Sequence, residues 1–131
     1  MRMKTPVHPS CAPIPAGPYT PAIKAGGFVF VSGQTPERSG SDEVVKGDIK
    51  IQTRQVMENI KGILEAAGCK MNDVVKVSAH LADMADFSGY NEVYREYFSK
   101  PYPARTTVQS VLPDKGALLE VDVIASIPIQ N

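Results

Sequence analysis

The segment DIKIQTRQVMENIKGILEAAG, residues 48–68, constrains the fold most because it predicts one long amphipathic helix. Asp48 is a favoured N-cap residue, and Gly68 is the residue type that most often ends a helix. Five apolar residues between them recur at helical spacing: Val56, Ile60, Ile63, Leu64 and Ala67. A helix with one apolar stripe must bury that stripe, so we expect a sheet or a second helix to pack against it.

A second helix is predicted from about Asp86 to Phe98. Its inward side chains form an aromatic stripe, for which ordinary core packing is the simplest interpretation. The stripe consists of Phe87, Tyr90, Val93, Tyr94, Tyr97 and Phe98.

Short strands are predicted around the two helices. An edge strand near Thr5–His8 falls in the proline-rich start of the chain. The segment AIKAGGFVFVSG predicts a β-hairpin with strands near 22–25 and 28–32, because its paired glycines suit a turn that needs positive φ. The segment VVKVSAHLA has the period of a half-buried strand. It alternates apolar Val75, Val77, Ala79 and Leu81 with Lys76, Ser78 and His80.

Two further strands, ARTTVQSVL and LLEVDVIAS, close the chain and are joined by PDKGA. The order β, β-hairpin, α, β, α, β, β predicts a single α+β domain, residues 1–131, with two helices on one face of a mostly antiparallel sheet. The other face is too apolar for water and too polar for a core. It receives either Thr106, Val108 and Ser110 or Arg105, Thr107 and Gln109, beside Glu120 and Asp122. We therefore expect a self-associating oligomer that covers this face and holds charged groups in clefts between subunits.

The composition argues against several classes of function. Fourteen Lys and Arg balance fourteen Asp and Glu, so binding to nucleic acid or an anionic membrane is not expected. No apolar run is long enough to cross a bilayer, and we expect a soluble, cytoplasmic protein. Cys11 and Cys69 form no CxxC motif, which suits reduced thiols in such a compartment. His8 and His80 are too isolated to predict a metal site.

Arg105 is the unusual residue of the strand ARTTVQSVL. A buried guanidinium is unfavourable unless a carboxylate, from the protein or from a ligand, meets it. Its planar fork suits bidentate binding of a carboxylate. The strand therefore points to a carboxylate ligand or to a structural ion pair.

The chain resembles the Rid family, also called YjgF, of enamine and imine deaminases. The segments that carry the resemblance are AGPYTPAI, FVFVSGQTP, QTRQVMENIKGILEAAG, YNEVYREYF and PARTTVQSVLPDKGALLEVDVIA. The resemblance implies a chorismate-mutase-like fold, a homotrimer with clefts at its subunit interfaces, and no cofactor. The implied substrates are 2-aminoacrylate, 2-iminopropanoate and 2-iminobutanoate, and the products are 2-keto acids and ammonia.

The same resemblance implies the roles of particular residues. Arg105 matches the arginine that binds the substrate carboxylate, and its alternative is an ion pair across the trimer. Glu120 matches the acid that positions the hydrolytic water, and its alternative is a solvated carboxylate, with Asp122 on the same face. Four further residues match the lining of the cleft: Tyr19, Ser32, Gly33 and Asn91. Thr107 stands where many members have cysteine. The resemblance implies that this position binds the substrate through its main-chain groups, and the change leaves the subfamily and the preferred imine open.

The predicted register has a consequence for this site. If PDKGA is a simple hairpin loop, Leu112 faces Leu118. Arg105 then lies opposite Ala125 and Glu120 opposite Ser110, roughly 17 Å apart along the ladder. Either a β-bulge shifts the register or a neighbouring subunit supplies one side of the site.

Two other classes of function stay open at this point. Ribonucleolytic cleavage is an activity for which some members of the family are named, but the basic groove and histidine pair that it usually needs are not evident. A non-catalytic trimer that binds metabolites or acts as a chaperone could use the same clefts or its outer surface.

Overall fold

The computed structural model describes residues 3–9 and 15–129, and every predicted strand and helix is present in it. The elements in chain order are β1 Thr5–Val7, β2 Ala22–Ala25, β3 Phe28–Gln34, α1 Ile49–Ala66, β4 Val74–Leu81, α2 Phe87–Tyr97, β5 Ala104–Gln109 and β6 Leu119–Ser126. Short 3-10 turns, Met71–Asp73 and Met84–Asp86, precede β4 and α2.

The ends of α1 confirm the predicted caps. The Asp48 side chain accepts a hydrogen bond from the Ile51 backbone N–H at 3.0 Å. After the last helical turn Gly68 adopts a φ of 84°, which a residue with a Cβ rarely tolerates. The helix therefore has the length that the sequence predicts.

The first hairpin also forms as predicted, with Gly26 and Gly27 both at positive φ in its turn. Strand β3 runs two residues beyond the predicted end, to Gln34. Val31 pairs with Val123 of β6 but Gln34 pairs with Val121, so β3 carries one extra residue there. This β-bulge is relevant to the candidate site described below.

The six strands form one sheet in the order β1-β2-β3-β6-β4-β5. The predicted pairing of the last two strands is wrong, because β4 lies between β5 and β6. Strands β4 and β5 are parallel and are connected through α2, which makes a β-α-β unit, and all other pairs are antiparallel. Residues 110–118 then pass around the end of β4, where the Ser110 N–H bonds to the Leu81 carbonyl and the Ala82 N–H to the Leu118 carbonyl.

The predicted opposition of Leu112 to Leu118 and of Arg105 to Ala125 therefore does not occur. Arg105 is instead in register with Val77 of β4. Glu120 is in register with His80 of β4 and not with Ser110.

The alternation predicted for β4 is right from Val77 onward and wrong at its start. Val74 is buried, whereas Val75 is 44% exposed. The register of β4 against β6 shifts between Val74 and Lys76, which makes Val75 the extra residue of a bulge and turns it out of the core.

Both helices cover one face of the sheet, which confirms an α+β fold. The core between the layers includes Val56, Met57, Ile60, Ile63 and Leu64 of α1, Tyr90 and Tyr94 of α2, and Val29, Val77, Leu81, Val121 and Val123 of the sheet. Cys69 is buried with a free thiol, and Cys11 lies outside the described residues. Within the described ranges no helix is long and apolar enough to span a membrane.

The opposite face of the sheet, called here the open face, carries no helix formed by the described residues. Its side chains belong to the same alternating set as His80 and Glu120, whereas the buried valines belong to the other set. They include Phe28, Phe30, Lys76, Ser78, His80, Thr106, Val108, Glu120, Asp122 and Ile124. Phe28 and Phe30 are 41% and 44% exposed, so this face presents aromatic rings beside charged groups.

Candidate active site

Arg105 projects from the edge strand β5 toward α2, on the helix-covered side of the sheet. Its Cζ lies 4.6 Å from the ring centroid of Tyr94, 5.5 Å from that of Phe87 and 5.7 Å from that of Tyr90. Its Nη1 donates a hydrogen bond to Asn91 Oδ1 at 2.8 Å. The aromatic faces and the amide oxygen stabilise the cation without neutralising it.

No carboxylate pairs with Arg105 among the residues that the structure describes. The guanidinium is partly exposed at the wall of a cavity of about 380 Å³. The cavity is lined by Asn91, Tyr94, Arg95, Tyr102, Pro103 and Arg105. A positioned guanidinium with unused donors beside an open cavity is suited to binding an anion.

Two tyrosines beside Arg105 have buried hydroxyl groups that form no well-aligned hydrogen bond with the described residues. These are Tyr90 and Tyr94. Burial raises the pKa of both phenols, and the nearby Arg105 charge lowers it by less. Both therefore stay neutral, and Tyr94 also lines the cavity.

Glu120 lies at a second cavity, of about 510 Å³. Four of the predicted site residues meet there: Tyr19, Ser32, Gly33 and Glu120. The remaining lining residues are Ala16, Gly17, Thr35, Glu37, Pro113 and Asp114. The Ser32 hydroxyl donates to the Thr20 carbonyl at 2.6 Å and so ties the segment that carries Tyr19 to β3.

The close approach of the Glu120 side chain explains why the bulge in β3 contains Gly33. A Cβ on this residue would overlap Glu120 Oε2 and lie 3.0 Å from Glu120 Cδ. The backbone of β3 therefore forms the floor on which the Glu120 carboxyl rests, and only glycine leaves room for it.

Burial is the main reason why the pKa of Glu120 is raised above its usual value. His80, which is in register with Glu120 on the adjacent strand β4, lowers that pKa, and the charges of Asp114 and Asp122 raise it. Burial, followed by the charge of Asp114, also raises the pKa of Glu37 in the same cavity. Proton exchange by Glu120 thus occurs closer to neutral pH than for a solvated carboxyl, which suits a group that must both give and take a proton.

One chain does not bring Arg105 and Glu120 together. They project from opposite faces of the sheet, with β4 between their strands and a separation of three positions along the ladder. The usual strand spacing and rise place their Cα atoms roughly 14 Å apart. Each cavity therefore contains a part of the predicted site: Asn91 and Arg105 line the first, and Tyr19, Ser32, Gly33 and Glu120 line the second.

Thr107 belongs to neither part. It is in register with Ala79 on the helix-covered face, and its buried Oγ1 finds no hydrogen-bond partner within residues 3–9 and 15–129. It is absent from the lining of both cavities. Its side chain lies on the same face of β5 as that of Arg105, so having threonine here affects the packing of that face.

Several lining residues were missed by the sequence reasoning. In the Arg105 cavity they are Tyr94, Arg95, Tyr102 and Pro103, and in the Glu120 cavity Glu37 and Asp114. The helical stripe identified Tyr94 as core material, and in the structure this core tyrosine also contacts Arg105 and lines the cavity. Glu37 and Asp114 lie in loops, where no periodic pattern marks them. No three His, Cys, Asp or Glu side chains of residues 3–9 and 15–129 are grouped to hold a metal ion.

Comparison with known proteins gives a consistent family assignment. A family model described as Endoribonuclease L-PSP matches residues 10–127. A RutC family protein of Pyrococcus horikoshii is 54% identical over 94% of this chain and 98% of its own length. A protein of Dermatophagoides farinae named 2-iminobutanoate/2-iminopropanoate deaminase is 40% identical over 88% of this chain and 91% of its own.

The fold agrees with this assignment. The crystal structure of RidA from the Antarctic bacterium Psychrobacter sp. PAMC 21119 superposes with a TM-score of 0.88 and 43% identity. The superposition covers 94% of this chain and 99% of the Psychrobacter chain. The chain therefore belongs to the Rid (YjgF) family, the family that the Endoribonuclease L-PSP model describes.

Proposed function

We propose that this protein hydrolyses small 2-imino acids, and their 2-enamine tautomers, to 2-keto acids and ammonia. The observation that carries the proposal is Arg105, a positioned guanidinium at a cavity wall with no carboxylate partner among the described residues. The deaminase name of the Dermatophagoides relative supports the same reaction.

The reaction needs few groups because an imine carbon is already electrophilic. Arg105 binds the carboxylate next to the C=N group and thereby fixes the position of the reacting carbon. Glu120 orients a water molecule and accepts its proton as the new C–O bond forms. The same carboxyl returns that proton to the nitrogen, which gives a carbinolamine. It then carries the hydroxyl proton of the carbinolamine to the amine, so the C=O bond forms as the C–N bond breaks and ammonia leaves the 2-keto acid.

The proposed active site combines two chains of a homotrimer. Within one chain the Arg105 and Glu120 cavities lie on opposite faces of the sheet. The first cavity contains two arginines and no acid, whereas the second contains Glu37, Asp114 and Glu120. Complementary charge and the exposed Phe28 and Phe30 support an assembly that covers the open face and places one cavity of each copy against the other cavity of its neighbour.

The activity is tested by trapping the imine. A pyridoxal-phosphate threonine or serine dehydratase generates 2-aminobutenoate or 2-aminoacrylate, semicarbazide traps the imine tautomer, and the yield of semicarbazone is followed with and without the protein. We expect the protein to reduce the trapped fraction and to speed the release of ammonia. Equal trapping in both reactions would refute the proposal.

An Arg105→Lys variant tests the role of the planar fork. Lysine keeps the charge but loses the bidentate geometry, so kcat/KM should fall by about 10- to 150-fold, or roughly 1.5–3 kcal/mol of carboxylate recognition. Arg38→Lys is the matched control, because Arg38 is an exposed arginine paired with Glu43 and does not line either cavity. Unchanged kinetics of Arg105→Lys in a folded protein would assign Arg105 a structural role.

Ribonucleolytic cleavage is the second candidate, and the description of the matching family model is the observation that favours it. The net charge of zero offers no general attraction to a phosphate backbone. The same preparation is therefore incubated with single-stranded RNA. Cleavage that Glu120→Gln abolishes, without imine turnover, would support the ribonuclease instead. Binding of 2-keto acids without turnover would indicate a metabolite-binding protein.

A further inference from the structure

The Arg105 cavity contains a second guanidinium that a small imine does not require. Arg95 lines this cavity together with Arg105. None of the four other lining residues is acidic: Asn91, Tyr94, Tyr102 and Pro103. Within one chain these two cations repel each other, and either the acids of a neighbouring copy or a ligand with two negative charges would relieve that repulsion.

The acids that could neutralise Arg95 are engaged elsewhere. On α2, Glu92 pairs with Lys50 and Glu96 with Arg54, and both of these cations belong to α1. Lys50 is the main reason why the pKa of Glu92 is lowered, and Arg95 contributes less. Arg95 forms no ion pair of its own within residues 3–9 and 15–129. Its exposed side chain can therefore direct its charge to a ligand.

Two guanidiniums at one cavity suit a ligand with two carboxylates. Asn91 holds the Arg105 guanidinium, and Arg95 lies four residues after Asn91 on the same side of α2, about 6 Å further along the axis. A four- or five-carbon dicarboxylic acid is a ligand of this kind that is small enough for the cavity. The cavity volume of about 380 Å³ exceeds what a three-carbon imino acid occupies. Tyr102 at the same wall offers a hydroxyl donor to the far carboxylate.

We infer that Arg95 is a specificity residue and that the preferred substrates are 2-imino dicarboxylic acids, the imines of the aspartate and glutamate type. Arg105 binds the carboxylate beside the C=N group, and Arg95 binds the distal carboxylate. Water adds to the imine carbon, the C–N bond breaks, and ammonia and a 2-keto dicarboxylic acid are released while the distal carboxylate is unchanged. This inference rests on the proposed deaminase function for turnover, but its recognition step is measurable without turnover.

The test of recognition compares two stable five-carbon ligands that differ only in the terminal carboxylate, 2-oxoglutarate and 2-oxopentanoate. Calorimetric titration of the wild type should give binding of 2-oxoglutarate that is tighter by about ten-fold or more. Arg95→Gln should reduce that ratio by about ten-fold while the affinity for 2-oxopentanoate stays within about two-fold. Arg38→Gln removes an exposed guanidinium outside the cavity and should change neither affinity. Equal binding of both acids by the wild type, or a ratio that Arg95→Gln leaves unchanged, would overturn the inference.

Turnover separates this inference from the proposed function. An L-amino-acid oxidase supplies the imines of glutamate and norvaline, and semicarbazide trapping reports their hydrolysis. Hydrolysis of both imines with a selectivity that Arg95→Gln does not change would refute the inference and retain the deaminase. Failure to hydrolyse either imine, with the binding ratio still dependent on Arg95, would refute the deaminase and retain the dicarboxylate site.

Sedimentation of Arg95→Gln distinguishes a ligand site from an ion pair between subunits. We expect the association state to equal that of the wild type. A smaller species, together with an equal loss of affinity for both keto acids, would show that Arg95 pairs with an acidic cavity of a neighbouring copy, and it would overturn the inference.

Discussion

At the scale of single residues, the two proposed catalytic groups are positioned in different ways. Arg105 is held by an amide oxygen and by the faces of aromatic rings, which stabilise its charge without neutralising it. Glu120 rests on the backbone of Gly33, where a β-bulge and the lack of a side chain make room for it. The arginine is thus positioned by side chains and the glutamate by backbone.

Gly33→Ala tests the second arrangement. The added methyl overlaps the end of the Glu120 side chain, which can rotate away, so the fold should persist while Glu120 leaves its position. We expect imine hydrolysis to fall by about 10²-fold or more, the range for a displaced acid-base group. Steady-state kinetics with circular dichroism as the check of folding measure this.

A double-mutant comparison gives the control for this prediction. In a Glu120→Gln background the same Gly33→Ala change should have little further effect on the rate, because both changes act through one group. Independent, multiplicative losses would mean that Gly33 acts on something other than Glu120.

The sequence predicted these residues unequally, and for physical reasons. Arg105 is conspicuous because a cation in a strand of Thr and Val needs an explanation. The other predicted site residues were identified only through the family motifs. Tyr94 was assigned only to the core, because helical period reports which side is buried and not what the buried side contacts. Arg95 and Asp114 have no local signal, since their roles depend on which elements the topology places beside them.

At the scale of elements, α1 stabilises the loop that precedes β6. Gln52 is 2% exposed, and its Nε2 donates to the Val45 and Gly116 carbonyls at 3.0 and 2.9 Å. Its Oε1 accepts from the Leu118 N–H at 2.7 Å. One buried amide thus ties the helix to the segment that leads to Glu120.

Gln52→Leu should therefore destabilise the protein by about 2–5 kcal/mol, because it leaves several buried backbone groups unpaired. Urea unfolding measures the change. The matched control is Gln55→Leu, on the same helix. Among the described residues its side chain bonds only to Asn59, so the loss should stay below about 1.5 kcal/mol. Similar losses for the two variants would contradict the role given to Gln52.

The elements themselves were more predictable than their arrangement. Caps and periodicity mark α1, and two glycines at positive φ mark the first hairpin, because these signals are local. The pairing of β5 was not predictable in the same way, since the alternation of ARTTVQ is satisfied equally by β4 or β6 as neighbour. The parallel partner became evident only from the path of α2 between β4 and β5.

At the scale of the whole molecule, partly buried acids make stability depend on pH. Burial is the first cause of a raised pKa for Glu37, Glu120 and Asp122. The folded state therefore holds more protons than the unfolded state just above the usual carboxyl pKa. Stability should decline as pH rises from about 4.5 through the raised values.

Glu120→Gln removes one of these contributions. The free energy of unfolding of the variant relative to the wild type should rise between pH 4.5 and neutral pH. Glu92→Gln should change in the opposite direction and at lower pH, because Lys50 lowers the pKa of Glu92. Its free energy of unfolding relative to the wild type should fall as pH rises toward 4.5 and stay level above that pH. Denaturant unfolding at fixed protein concentration measures both, and equal pH dependence of the two variants would contradict the assignment.

The central claim is that a working site takes Arg105 from one chain and Glu120 from another. The direct test mixes the inactive Arg105→Ala and Glu120→Ala variants under conditions where mass spectrometry demonstrates subunit exchange. Random reassembly of a cyclic homotrimer from equal amounts should restore about a quarter of the wild-type clefts, and hence about a quarter of the wild-type rate of imine hydrolysis. Activity that stays at the level of the separate variants, in spite of demonstrated exchange, would contradict the account.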